Sequence, residues 1–131
     1  MADVHFDTSE LDHLAADFVD SVDEAMDAAV RVTKRAALNI KNDARARFRS
    51  QVRELYLPHY ARAIDYDVWE SGLEVTAEIG PDSSKPQGGM GPGVEFGSVN
   101  TAPRPHLFPA FEEEEPRWRE HLAREVGDVL S

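Results

Sequence analysis

Cysteine is absent from this chain of 131 residues, so disulfide bonds, thiolate nucleophiles and cysteine-ligated metals are excluded. The chain also lacks an apolar run near the roughly 20 residues of a membrane span, and its acidic, polar first residues predict no secretory signal. These absences favour assembly in a reducing cytoplasm without membrane contact. The composition, 41% hydrophobic and 30% charged, is typical of one globular domain of ordinary size.

Motifs for catalysis and ligand binding are absent as well. The five histidines are not spaced as metal ligands, either among themselves or with carboxylates. The stretch Gly88-Gly89-Met90-Gly91 lacks the Gly-Lys-[Ser/Thr] that completes a phosphate-binding loop. No serine lies in the pattern of a nucleophile elbow. We therefore predict no catalytic, cofactor-binding or metal-binding residues, and a structural role instead of an enzymatic one.

Positive charge is missing from the first part of the chain. Residues 1–30 contain nine acids and no Lys or Arg, whereas residues 31–53 contain eight bases and one acid, Asp43. The net charge of −11 argues against a general nucleic-acid binder. The basic stretch, with Arg45 and Arg49, could be a solvated face, touch DNA phosphates, or pair with the acidic segment of an adjacent copy. Pairing between copies is favoured over DNA, because no interleaved aromatic residues offer base stacking.

A long amphipathic helix is predicted at the start of the chain, with residues 1–55 helical. Thr8 or Ser9 can cap it, and no Gly or Pro interrupts it before Pro58, although a bend near Asp20-Ser21 is possible. Acids in its first half and bases in its second half both match the helix dipole. Its apolar stripe comprises Leu11, Leu14, Ala15, Phe18, Val22, Ala25, Met26, Ala29, Thr33, Ala36, Ile40, Ala44 and Phe48.

A small antiparallel sheet is predicted over residues 59–97. Strict alternation over 64–68 and 73–79, around the turn Glu70-Ser71-Gly72, predicts a hairpin. Residues 81–93 are rich in Gly and Pro and are interpreted as a mobile loop, and Val94–Gly97 as a third short strand. Apolar spacing over 105–131 predicts a C-terminal helix, in which Pro116 marks a kink or a fresh start. The expected fold is α+β, with both helices packed on the sheet.

The order of motifs after residue 93 is the most informative feature of the chain. Val94-Glu95-Phe96-Gly97 is followed by Ser98, a short loop, Pro103-Arg104-Pro105, and then Leu107, Pro109 and Ala110 at the start of the last helix. This order resembles the tail-completion or neck family of long-tailed bacteriophages, a group of minor tail components and head–tail connectors. Ser98 stands where that family usually has Thr, and His106 where it usually has Phe. The resemblance spans nearly the whole chain, because the family pattern is a long N-terminal helix, a small antiparallel sheet, and an ending of strand, loop and helix.

The resemblance implies a structural virion protein that completes the tail and joins it to the head. It implies several copies in a ring, with a hexamer expected, between a head-side connector or stopper protein and a tail terminator or tail tube protein. Genome DNA would pass through the lumen without sequence-specific contact. Two alternatives stay open: a tail terminator that caps the tube, and a small acidic interaction module outside a virion.

Candidate contact residues follow from the same segments. Glu95 could face solvent, or pair with Arg62 or Arg104 across a subunit contact. Arg104, between two prolines, could set the chain direction or make a contact itself. The run of acids 112–115 could be a solvated helix face or line a lumen and repel DNA.

The remaining expectations concern apolar residues and the loop. We expect Trp118 to be a core or interface residue. Phe96 is treated both as a contact candidate and, together with Phe108, as a candidate core residue whose truncation would cost about 3–5 kcal/mol. The predicted loop, with Lys85, Gln87 and Met90, is expected to order on docking.

Overall fold

The computed structural model describes residues 9–53 and 56–131, apart from the side chains of Glu10 and Leu11. The predicted cap Thr8 and the stripe position Leu11 therefore lie outside the described residues. Within this part of the chain no helix combines the length and apolarity that a membrane crossing requires.

Helix α1 (Ser9–Gln51) is one continuous element of 43 residues, which confirms the long N-terminal helix. The helix continues through Asp20-Ser21, where the Ser21 hydroxyl donates to the Asp17 carbonyl at 2.9 Å. It ends earlier than predicted, at Gln51. A residue before proline is disfavoured in helical geometry, and Leu57, which precedes Pro58, has a φ of 43°.

The hairpin follows a short helix, α2 (Tyr60–Ala63). Strand β1 (Ile64–Ser71) pairs antiparallel with β2 (Glu74–Pro81), in a register that runs from Ile64 opposite Pro81 to Ser71 opposite Glu74. Gly72 begins the two-residue turn with a φ of 60°, which glycine adopts without strain. The predicted hairpin is therefore confirmed, but its turn is Gly72-Leu73 and not Glu70-Ser71-Gly72, because Glu70 and Ser71 still pair within β1. These two strands form the sheet of the described residues.

The third strand predicted at Val94–Gly97 is wrong. Residues 91–96 form helix α3 (Gly91–Phe96), which is preceded by a 3-10 turn at Gly88–Met90. Pro92 lies in the first turn of α3, where its fixed φ favours a helix and its missing N–H costs nothing. Three alternating residues were too few to distinguish a strand from a short helix.

Two of the four glycines of residues 81–93 are closely packed, so this stretch, interpreted from the sequence as a mobile loop, contains buried residues. A Cβ on Gly88 would lie 1.7 Å from the Asp82 carbonyl oxygen, and one on Gly91 would lie 2.4 Å from the Pro81 ring. Both glycines are buried. The 3-10 turn and the start of α3 thus fold tightly back on the end of β2.

Helix α4 (Leu107–Leu130) runs antiparallel to α1. Successive contacts join Glu113 to Arg47, Glu114 to Asn39, Trp118 to Thr33, and Glu125 to Arg31. Helix α4 continues through Pro116, so no fresh helix starts there. Pro116 is exposed, so water can hydrogen-bond the carbonyl that the proline leaves free.

The core lies where the second half of α1 meets α2, α3 and the start of α4. Its largest fully buried side chains are Tyr60, Phe48, Ile64 and His106. The Phe48 and Tyr60 rings pack with centroids 4.6 Å apart. By contrast, residues 12–20 of α1 are all exposed, because neither the hairpin nor α4 packs against them.

Candidate assembly surface

Glu95 holds the start of α4. Its Oε2 accepts a hydrogen bond from the His106 N–H at 2.7 Å, and its Oε1 accepts from the N–H groups of Leu107 at 2.8 Å and Phe108 at 2.9 Å. The first N–H groups of a helix have no partner within it, and a carboxylate there also favours the helix dipole. Glu95 is only 4% exposed, so this carboxylate is a buried cap that joins α3 to α4.

One of the two readings of Glu95 that the sequence suggested is wrong, because its side chain does not face solvent. The other, a pair with Arg62 or Arg104 of another copy, stays a prediction, although both carboxylate oxygens already have partners within the chain. These partners are backbone N–H groups eleven to thirteen residues further along the chain. A short alternating motif carries no signal for such a partner, because the turn between α3 and α4 creates it.

His106 extends this capped junction into the core. Its Nε2 lies 2.7 Å from the Tyr60 hydroxyl and its Nδ1 lies 2.9 Å from the Arg104 carbonyl oxygen. A neutral ring that donates from Nδ1 and accepts at Nε2 satisfies both partners. Burial raises the pKa of Tyr60, and the nearby negative charge of Glu95 raises it further, so the phenol stays protonated and can donate.

The loop between α3 and α4 is fixed at both ends. Gly97 has a φ of 79°, and a Cβ there would lie 2.8 Å from the Thr101 carbonyl oxygen. The Arg104 N–H donates to the Val94 carbonyl at 2.7 Å, and the Arg104 guanidinium lies 4.6 Å from the centre of the Tyr56 ring. Arg104 therefore sets the chain direction within one molecule, which was one of its two predicted roles.

A wide apolar groove lies beside this junction. It encloses about 840 Å³ between β2, α3 and the first turns of α4, and Glu78 and Ser83 supply polar groups at its walls. We call it the phenylalanine groove, after Phe96, Phe108 and Phe111. Their exposed fractions are 66%, 55% and 49%.

Phe96 and Phe108 are therefore not core residues, and the sequence prediction that both belong to the core is wrong. Their rings contact each other with centroids 5.8 Å apart, yet both stay largely in water. A contiguous apolar patch with a polar edge is typical of a surface that binds another macromolecule. The position of Phe96 agrees with its other predicted role, as a contact residue.

The remaining contact candidates divide into residues that hydrogen-bond within the chain and residues that do not. Arg45 belongs to the first group: its Nε and Nη2 donate to the Ile64 carbonyl at 3.1 and 2.7 Å, which ties α1 to the start of β1. Trp118 belongs there too, because its indole N–H donates to the Thr33 hydroxyl at 3.1 Å. Arg49 and Arg62 are exposed, and remain available for contacts.

Two of the three loop candidates are held by the fold. The Lys85 ammonium lies 2.6 Å from an Asp65 oxygen, and this hydrogen bond is the main cause that lowers the pKa of Asp65. The Gln87 side chain accepts from the His59 N–H at 2.7 Å. Met90 is 50% exposed and lies in the 3-10 turn, next to the glycines of the groove wall.

The acidic run 112–115 is only partly a solvated face. Glu114 is buried: its Oε1 accepts from the Asn39 amide at 3.0 Å. Its Oε2 lies 2.7 Å from Arg117 as an ion pair, without hydrogen-bond alignment. Glu112 and Glu113 are exposed, and Glu115 is partly buried.

Sequence reasoning missed His106, Tyr60 and Phe111. His106 stands where the resemblance implies an aromatic residue, and this position is the sequence signal that could have indicated its burial beside Phe48. Tyr60 lies in a segment of mixed polarity that gives no clear period. Phe111 counted only toward the apolar spacing of the last helix, whereas in the structure it lines the phenylalanine groove and also a pocket that α4 shares with α1.

Comparisons with known proteins give no relative: no family model, curated protein or solved structure matches this chain. In the described part of the chain, no three His, Cys, Asp or Glu side chains converge as a metal site would require.

Proposed function

We propose that this chain is a structural subunit of the neck of a long-tailed bacteriophage, where copies form a ring that completes the tail and joins it to the head. The order Val-Glu-Phe-Gly, Pro-Arg-Pro and Leu-Phe-Pro-Ala supports the proposal. The long helix, the small hairpin and the terminal helix match the arrangement that the resemblance implies, although Val94–Phe96, where it also implies a strand, belongs to helix α3.

The observation that carries the proposal is the phenylalanine groove beside the Glu95 cap. A single copy leaves three large aromatic rings in water, which costs free energy that a docked partner would recover. The rings lie on α3 and α4, two helices joined by a buried carboxylate, so little side-chain and loop freedom is lost on docking. We assign this groove to a neighbouring neck or tail protein, and the chain acts without catalysis.

DNA passage is compatible with the charge of the chain. A ring of subunits that each carry a net charge of −11 repels a polyanion, so DNA can slide through without sticking. We assign no base contacts to this protein. Its place in the infected cell is the virion neck, after assembly in the host cytoplasm.

Deletion of the gene in a phage that carries it tests the function. The expected result is the accumulation of DNA-filled heads and separate tails of normal length, with joining restored by the wild-type chain supplied in trans. Normal joined particles without the chain would overturn the proposal. Tails of abnormal length would instead identify a tail terminator.

A matched pair of variants tests the groove. Complementation with Phe108→Ser is expected to fail, because the aromatic contact is lost while the fold is kept. Complementation with Val99→Ser, at a fully exposed residue outside the groove, is expected to succeed. Equal success of both variants would contradict the assignment of the groove.

A further inference from the structure

The first turns of α1 form a bare projection. The tip of the hairpin lies near residues 22–27 of α1, where Val22, Met26 and Leu73 border the same pocket. Helix α4 reaches this end of α1 with the ion pair between Glu125 and Arg31. Over residues 12–20, which are all exposed, no other described element covers α1. A free helix with an uncovered apolar side gains little from its own chain, so its stability depends on a partner.

This projection is apolar along one side and acidic around it. Leu14 and Phe18, one turn apart, are 66% and 68% exposed, and Val19 beside them is 55% exposed. Asp12, Asp17 and Asp20 flank them, and no Lys or Arg occurs before Arg31. An occupant for this stripe must therefore be apolar in its centre and basic at its edge.

The opposite end of α1 carries a surface of that kind. A groove of about 390 Å³ is lined by Val52, Tyr56, Leu57 and Pro58, with Arg49 and Arg53 at its edge. We call it the basic groove. Both arginines are exposed, and no ion pair holds either of them within the described residues.

The projection and the basic groove cannot meet within one molecule. Phe18 and Arg49 lie on the same continuous helix, and 31 residues at 1.5 Å each separate them by about 46 Å. The phenylalanine groove is a poorer site for the projection, because its nearest charged groups, such as Glu78, are acidic and would repel Asp17 and Asp20.

We propose that the acidic projection of one copy docks in the basic groove of the next copy. Phe18 and Leu14 would cover Val52, Tyr56 and Leu57, while the flanking aspartates meet Arg49 and Arg53. The contact is head-to-tail, and such contacts repeat until they close a ring or extend as a filament. The contact is inferred from this chain's own surfaces; its closure as a ring in the neck rests on the proposed function.

Sedimentation velocity of the purified full-length chain tests the contact. The wild type is expected to self-associate, and Phe18→Ser to weaken this by about 10- to 100-fold, the effect of exposing one buried aromatic side chain. Raising the salt from about 0.1 M to about 1 M shortens the screening length from about 10 Å to about 3 Å and is expected to weaken it further. Val99→Ser is the control for surface apolarity, and circular dichroism checks that each variant is folded.

Charge reversal identifies the two faces. Arg49→Glu with Arg53→Glu, and separately Asp17→Arg with Asp20→Arg, are each expected to abolish self-association. Mixed in equal amounts, the two variants are expected to associate again, because each reversed face then finds an opposite charge. Lys34→Glu with Arg35→Glu makes the same change of charge on an exposed part of the same helix and is expected to have no effect.

Four results would overturn this contact: a wild-type chain that stays monomeric, equal loss from the control pair, no recovery on mixing, or a photo-crosslinker at position 18 that captures residues 77–111 instead of 49–62. Self-association that follows these expectations in a chain that phage assembly does not require would refute the neck function and leave the contact standing. If instead the chain does not self-associate but gene deletion still abolishes joining, the contact is refuted and the neck function stands.

Discussion

Replacing Glu95 with Ala removes the carboxylate that accepts three backbone N–H groups at the start of α4. The N–H of His106 is buried and would lose its partner, which costs about 1–3 kcal/mol. Leu107 and Phe108 are less buried, so water can replace part of what they lose, and the loss of a helix cap adds about 0.5–2 kcal/mol. We expect the Glu95→Ala variant to lose about 1.5–5 kcal/mol of unfolding free energy in total.

Urea denaturation followed by circular dichroism measures this loss. Glu112→Ala removes a carboxylate of the same kind from an exposed position on α4 and is expected to change stability by no more than about 0.5 kcal/mol. Glu95→Gln keeps an acceptor but loses the charge, so its stability should fall between the two. Amide exchange at His106 should accelerate in Glu95→Ala before the exchange of the α1 amides does.

A loss below about 1 kcal/mol for Glu95→Ala, equal to that of Glu112→Ala, would refute the cap as the link between α3 and α4. The same outcome would remove the reason to treat the phenylalanine groove as rigid, because its two helical walls would then be joined only by the loop.

Three further predictions concern single side chains. Phe96→Ser and Phe108→Ser should each change the unfolding free energy by less than about 1 kcal/mol, since both rings are exposed; a loss of about 3–5 kcal/mol in urea would return them to the core. Tyr60→Phe should cost about 0.5–1.5 kcal/mol at neutral pH. Because the pKa of Tyr60 is raised in the folded state, its full contribution to stability is present below the unfolded pKa of about 10 and is lost as the pH rises toward the folded pKa. From pH 8 to pH 12 the unfolding free energy of the wild type should therefore fall more steeply than that of Tyr60→Phe. The pKa of Asp65 is lowered, so its pair with Lys85 stabilises the fold above the unfolded pKa of about 4, and this stabilisation is lost as the pH falls. In Asp65→Asn the loss of unfolding free energy at acid pH should therefore be smaller, by no more than about 1 kcal/mol. An unchanged dependence on acid pH would contradict the pair.

The sequence was sufficient for the long helices and the hairpin because their periods are long and regular. The stripe of α1 repeats over many turns, and the alternation around Gly72 covers two strands. Val94-Glu95-Phe96 has no such length, and the Gly-Pro-Gly before it is as typical of a loop as of the first turn of a helix. Short segments are decided by their tertiary neighbours, so α3 could not be predicted from its own residues.

The roles of charged residues were predicted least well. Arg45, Arg104 and Glu95 all bind backbone groups inside the molecule, although each was considered for a contact between copies. A charge in a sequence does not reveal which backbone groups are left without partners, since that depends on where helices end. The prediction that Phe108 lies in the core was wrong because an apolar residue on a helix need not face the chain's own core and can be exposed on its surface.

Electron cryomicroscopy of joined particles tests the central proposal most directly. The account predicts a ring of density between head and tail into which this chain fits, with the projection of each α1 against the basic groove of the next copy and the phenylalanine groove covered by a neighbouring protein. Joined particles whose neck density leaves no place for the chain would contradict it.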